Sequence, residues 1–192
     1  FLLMMVFSIS IYTFYGSKDR NDTRFNTNFI SLDGMEYMKS TEYYFQDKKI
    51  DLIYDYLAID WIKNNIEGSP TIIEGITDQY QWGNRISVYT GLPSVVGWDW
   101  HQRQQRVEYA YSVTSRRSDV QRFYHSTLPR TAIEIINKYD IKYVFVGQLE
   151  ESQYTNAGLE KFEEMESKGL VKIYPDEMIN YETPVRIYKY ID

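Results

Sequence analysis

Two short apolar runs constrain this chain more than any other feature. Thr71-Ile72-Ile73 and Tyr143-Val144-Phe145-Val146 show no polar alternation. A strand of that kind is buried on both faces, so helices must cover the sheet from both sides. Candidate helices lie close by. From Asp51 to Ile66, Ile53, Leu57 and Trp61 recur every fourth residue, and Leu52, Ile59, Ile62 and Ile66 widen the stripe. Gly68-Ser69-Pro70 stops that helix. Ser118-Asp119-Val120-Gln121 and Thr131-Ala132-Ile133-Glu134 have the form of capping boxes and predict helices to about His125 and Tyr139. Leu159, Phe162 and Met165 predict another from Gly158 to Lys168, closed by Gly169. Residues 170–174 and 185–190 alternate in character and predict a terminal strand pair. The expected class is α/β: a mostly parallel sheet flanked by helices, with an antiparallel C-terminal pair.

The first fifteen residues do not belong to that pattern. In FLLMMVFSISIYTFY twelve residues are apolar or aromatic and none is charged. The run falls short of the roughly 20 apolar residues that span a bilayer. It also lacks the basic start and small-residue end of a signal peptide. It reads as the end of a transmembrane helix, with Tyr12, Phe14 and Tyr15 at the interface. Residues 16–32 are rich in Asn, Asp, Thr and Ser and read as a linker. Asn21-Asp22-Thr23 is a glycosylation sequon that would require an outside location. Residues 33–192 then form one domain, a normal size for a single core.

Composition excludes several functions. The net charge of −6, with no long basic run, argues against nucleic acid. The absence of cysteine rules out disulfides, thiolate metal sites and cysteine catalysis. His101 and His125 are too few and too separated for a metal site, and no cofactor motif is present. There is no phosphate-cradling glycine loop and no GxSxG elbow. Nineteen tyrosines fit either polar-ligand grooves and interfaces or a compositional bias.

The cations are segregated. Residues 64–137 hold seven arginines and no lysine; the rest of the chain holds three arginines and eleven lysines. Guanidinium matches phosphate and carboxylate as a planar fork. The same window holds Trp82, Trp98, Trp100 and both histidines. One reading is a site for a polar, anionic ligand. The other is internal pairing, since the window also holds seven acids: Glu67, Glu74, Asp78, Asp99, Glu108, Asp119 and Glu134. Arg85 and Arg106 are the candidate anion contacts, and Tyr80 and Trp98 the candidate stacking surfaces. His101 is a candidate hydrogen-bonding or acid/base residue, with Glu74 as its carboxylate partner. Asp99 and His101 share a face only if their segment is extended. Residues 76–113 read as irregular, and a connection of that length is usually functional.

The stretch Gly83-Asn84-Arg85-Ile86-Ser87 … Thr90-Gly91-Leu92-Pro93 … Gly97-Trp98 … His101 resembles a block near the C-terminus of the YYY family of large polytopic membrane proteins. Leu32-Asp33-Gly34-Met35, Ala58-Ile59-Asp60-Trp61 and Lys138 to Gly147 fit the same pattern, so the resemblance covers roughly residues 30–190. Gln102 stands where the pattern has Glu and Gln105 where it has Trp; Arg106 matches. That family is similar to GT-C-type membrane glycosyltransferases, which use polyprenyl-phosphate sugars. The resemblance implies a domain on the extracytoplasmic side of the cell membrane, attached to its own transmembrane part. It implies help in binding a glycan or polyprenyl-phosphate sugar, with catalysis residing in an earlier loop. The alternative is a non-catalytic module that docks on the transmembrane bundle. A free-standing α/β enzyme using Glu74, Asp99 and His101 is a third reading.

Overall fold

The computed structural model describes residues 2–21, 31–176, 179 and 181–191. Helix α1 (Leu2–Asn21) runs through the apolar opening and on through residues 16–21, where a linker was expected. Its large apolar side chains from Leu3 to Tyr15 are exposed. No helix among the described residues is long and apolar enough to cross a membrane. The rest of the expected linker and the sequon's Asp22 and Thr23 lie outside the described residues.

A hairpin of β1 (Glu42–Phe45) and β2 (Lys48–Asp51) precedes α2 (Leu52–Asn65). Gln46 and Asp47, both at positive φ (47° and 65°), make its two-residue turn. Positive φ at both positions is what a type I′ turn demands. The main sheet has four strands in the order β3 (Thr71–Ile73), β4 (Ile141–Val146), β6 (Arg186–Tyr190), β5 (Leu170–Tyr174). β3 and β4 are parallel, and β6 runs antiparallel to both β4 and β5. The α/β class and the antiparallel C-terminal pair are as expected; among the described residues, parallel pairing is confined to β3 with β4 and a bridge from Ile72 to Ser94.

The apolar β4 run explains the layering. Val144 and Val146 enter one core with Val120, Phe123, Tyr124 and Phe162. Tyr143 and Phe145 enter the other with Ile59, Ile62, Ile72 and Ile187. The first core lies under α5 (Ala110–His125), α6 (Pro129–Tyr139) and α8 (Asn156–Glu164); the second lies under α2. α5 starts eight residues before the predicted capping box, and α6 starts at Pro129 rather than at Thr131. Proline at the first helical turn lacks only an N–H that would be unsatisfied there anyway. Residues 76–113, expected to be irregular, contain α3 (Arg85–Thr90) and α4 (Asp99–Gln105). The last short helix, α7 (Gln148–Gln153), follows β4 directly.

One cation lies inside the first core. Lys161 is buried; its ammonium donates to the Gly158 carbonyl and lies 4.0 Å from the Phe162 ring centroid. No carboxylate pairs with it among the described residues. Burial pushes its amine down to about 7 from an ordinary 10.5. Between those values the unfolded chain holds a proton that the folded chain has released, so this group makes stability rise with pH from about 7 to 10.5. Lys161→Met is expected to stabilise the fold at pH 7 by roughly 1–3 kcal/mol. Thermal melts should show that gain shrinking toward pH 10.5. A variant less stable than the parent at pH 7 would contradict this account.

Candidate functional site

The carboxyl ends of parallel strands are where open α/β sheets usually bind ligands. In this chain Glu74 and Gly75 follow β3, and Gly147 follows β4. The position between them is filled from within, by Arg85. Its side chain is 1% exposed. Nε donates to Asp55 Oδ2 at 2.6 Å, and its terminal nitrogens donate to Glu150 at 2.9 and 3.2 Å. Glu74 lies 3.8 Å away. The guanidinium also sits 4.9 Å from the Phe145 ring centroid.

The three carboxylates hold the surrounding backbone as well. Glu150 accepts the N–H groups of Gly75 and Gly147, both at 2.8 Å. Glu74 accepts those of Ile86 and Ser87, both at 3.0 Å, and so caps α3 from another element. Asp55 accepts the Trp82 indole N–H at 2.5 Å. Gly75 and Gly147 leave the room this requires: a Cβ on Gly75 would lie 2.7 Å from Glu150 Oε1, and one on Gly147 would lie 3.3 Å from Arg85. Burial raises Asp55, and burial raises Glu74 to about 7 despite Arg85 and its two N–H donors. For Glu74 the folded state keeps a proton that the unfolded state loses between 4.5 and 7. Its contribution is therefore greatest at acid pH and falls as pH rises to 7, opposite in sign to Lys161. Together the two predict a shallow stability minimum near pH 7.

Arg85 is thus not the anion contact that its sequence context suggests. Its charge is consumed by Asp55, Glu74 and Glu150 inside the fold. Glu74 does not partner His101; both its oxygens cap α3. Asp99 is also buried, and it holds Arg117 at 2.7 Å, Arg103 at 3.0 Å and Gln79 at 3.0 Å. Because Asp99 and His101 lie two apart on a helix rather than in an extended segment, they do not share a face. No group of His, Asp and Glu among the described residues is placed to hold a metal ion.

Most of the arginine-rich window is explained by pairing. Arg85, Arg103, Arg117, Arg122 and Arg130 each have a carboxylate. Arg106 and Arg116 have none among the described residues. Both line the same cleft, about 890 Å³, between the segment before α4 and the start of α5. Val95, Val96 and Val113 give it an apolar floor; Asn84, Ser87, Ser94, Gln102 and Ser112 supply hydroxyls and amides, and no acid lines it. Arg116 is held by its bond to the Val95 carbonyl, 3.0 Å, and by the Tyr139 ring, 4.8 Å from its guanidinium carbon. Arg106 is exposed. Arg116 was missed from sequence; its signal was a second arginine ten residues along, facing no acid.

The glycine-rich block builds the walls of this cleft. The left-handed Gly91 (φ 78°) ends α3, and the Pro93 carbonyl accepts the Ile72 N–H at 2.9 Å, which lays the segment along the free edge of β3. The Trp98 indole N–H donates to the Gly83 carbonyl at 3.1 Å. Beside the cleft, Tyr80, Trp98 and His101 come together. The Tyr80 ring lies 5.4 Å from Trp98 and 5.5 Å from His101, and its hydroxyl contacts His101 Nε2. Tyr80 is left-handed at φ 61° and well exposed.

No family model matches the sequence, and no curated protein matches it. The likeness to the YYY block therefore rests on the quoted residues. Among solved structures, the chain is similar to the C-terminal globular domain of an oligosaccharyltransferase from Archaeoglobus fulgidus. The two share 12% identity over 72% of this chain and 97% of that one, with a TM-score of 0.41.

Proposed function

We propose that this chain is the membrane-tethered, extracytoplasmic domain of a GT-C-like protein and that its α4–α5 cleft binds a phosphate-bearing sugar. The observation that carries the reading is the pair Arg106 and Arg116: two guanidinium groups without carboxylates among the described residues, on one cleft that no acid lines. A cavity of this size holds a ligand of a few hundred daltons. Phosphate takes the arginine fork, while hydroxyl and amide groups on the walls suit sugar hydroxyls. Exposed Tyr80 with half-buried Trp98 and His101 provides an aromatic surface next to Gly97, a wall residue. Helix α1, apolar and unpacked on its large side chains, is the lipid-contacting tether. The domain binds substrate and leaves the bond-breaking step to the membrane part, since Glu74 and Asp99 are buried and committed to structure.

The test is a titration with a hexose phosphate and a short polyprenyl-phosphate analogue, followed by tryptophan emission. Saturable binding is expected in the parent. Arg106→Ala removes charge-assisted hydrogen bonds and should weaken binding by about ten- to a hundred-fold. Because Arg106 is exposed and unpaired, the variant should melt with the parent. Equal affinity in both proteins would overturn the reading.

A further inference from the structure

The corner where α4 meets α5 exposes more apolar and aromatic surface than a solvated turn requires. Val107 is 77%, Tyr109 64%, Tyr111 85% and Trp100 50% exposed. α4 packs on both the 107–109 turn and α5, so these residues belong to one corner of the molecule. Arg106 stands in that corner, and Arg116, a turn and a half further along α5 from Tyr111, shares the cleft with Tyr109.

We infer that this corner is a bilayer-interface anchor, which seats the mouth of the cleft at the level of anionic lipid headgroups. The inference rests on the cleft reading given above for the ligand, but on different side chains for the contact. Trp and Tyr, each with an apolar ring and a polar tip, concentrate where hydrocarbon meets water. Arg106 and Arg116, without carboxylate partners among the described residues, supply the matching charge for lipid phosphates. The remainder of the protein supports this orientation: its net charge is −6, so an anionic bilayer repels most faces and attracts this corner, where Arg106 and Arg116 outnumber the exposed Glu108 of the turn. A protein docking surface would share the aromatics. It would not need the uncompensated arginines beside them.

The experiment uses the 192-residue chain on vesicles with brominated acyl chains, either neutral or containing phosphatidylglycerol. The Trp100 contribution is the difference between the parent and Trp100→Phe. Quenching of that contribution is expected, stronger on anionic vesicles. It should be lost in the Val107→Ser/Tyr111→Ser double variant, which keeps α1 and so stays on the vesicle. Removing Arg106 or Arg116 should lower the preference for anionic vesicles about five-fold each. Absence of Trp100 quenching, or quenching unchanged in the double variant, overturns the anchor. Concentration-dependent self-association without quenching also overturns it and assigns the corner to a second copy. The double variant touches no cleft residue, so its hexose-phosphate affinity should equal that of the parent. Loss of quenching with intact sugar-phosphate binding would leave the cleft reading in place, whereas quenching without sugar-phosphate binding would leave the anchor and remove the cleft reading.

Discussion

Replacing Arg85 by methionine is expected to lower stability by about 3–5 kcal/mol, because it leaves three buried carboxylates without a counter-charge. For a chain of this size that corresponds to a melting point lower by roughly 10 °C or more. The network already carries one cation against Asp55, Glu74 and Glu150, with side chains exposed by 3% or less. Without the guanidinium, the attraction that opposes burial at Asp55 and Glu74 is gone, and their affinity for protons rises further. The sign of the pH effect follows. A folded state that holds extra protons is favoured by acid, so the variant should recover part of its loss at pH 5 relative to pH 8. Melts at the two pH values check this. A variant as stable as the parent at pH 8 would mean that the Arg85 cluster contributes no net stability. Arg85→Lys should also fail to restore the parent, since an ammonium cannot reach Asp55 and both oxygens of Glu150 with a planar fork.

The second large effect comes from a glycine. Gly158 sits in the first turn of α8, where α8 crosses the end of α5. A Cβ there would press into the Tyr124 carbonyl oxygen and lie 3.1 Å from that of His125. Both obstacles are backbone at the end of a helix, so neither can swing away. Gly158→Ala is expected to cost about 1–3 kcal/mol, although alanine is the better helix former in isolation. Tyr124 magnifies the consequence. Its hydroxyl reaches the carbonyls of Ile73 at 3.0 Å and Phe145 at 2.8 Å, one from each parallel strand. Displacing α5 there loosens the junction that holds Arg85. Chemical denaturation should show a lower midpoint with an unchanged slope. An alanine variant as stable as the parent would show that the two helices can separate at no cost.

Much of the fold is legible in local sequence. β4 is apolar from Tyr143 to Val146 because the sheet has a helical layer on each side. α2 follows the helical period, but its buried face is Leu52, Asp55, Ala58, Ile59 and Ile62, and the stripe of Ile53, Leu57 and Trp61 lies half-buried beside it. The losses have physical causes. α3 and α4 have six and seven residues, too few to display a period; Glu74 holds α3 from another element, and α4 is held through its own Asp99 by Arg117 and Gln79. The early part of α5 is polar, with Val113 its one buried residue before Asp119, so the apolar signal begins only at Val120. The β1–β2 turn carries Gln-Asp instead of the asparagine–glycine signature that marks such turns.

The candidate site was legible in part. The arginine-rich window of the sequence contains Arg106, which lines the cleft proposed as the site. Arg85 was misassigned because its partners lie 30 and 65 residues away, where no local pattern reports them. Arg116 came to light only once the pairing of the other arginines could be read from geometry. Tyr80, Trp98 and His101 gather as a cluster because Gly83, before α3, and Gly97, after it, let the chain pack closely there: a Cβ on Gly83 would meet Thr77 and one on Gly97 would meet Asn84.

The most direct measurement is a backbone amide shift map of the isotopically labelled chain titrated with a hexose 1-phosphate. The account predicts saturable shifts at Ser87, Ser94, Gly97 and Ser112, all walls of the cleft, and their disappearance in Arg106→Ala. Shifts confined to other surfaces, or no shifts in a folded parent chain, would contradict it.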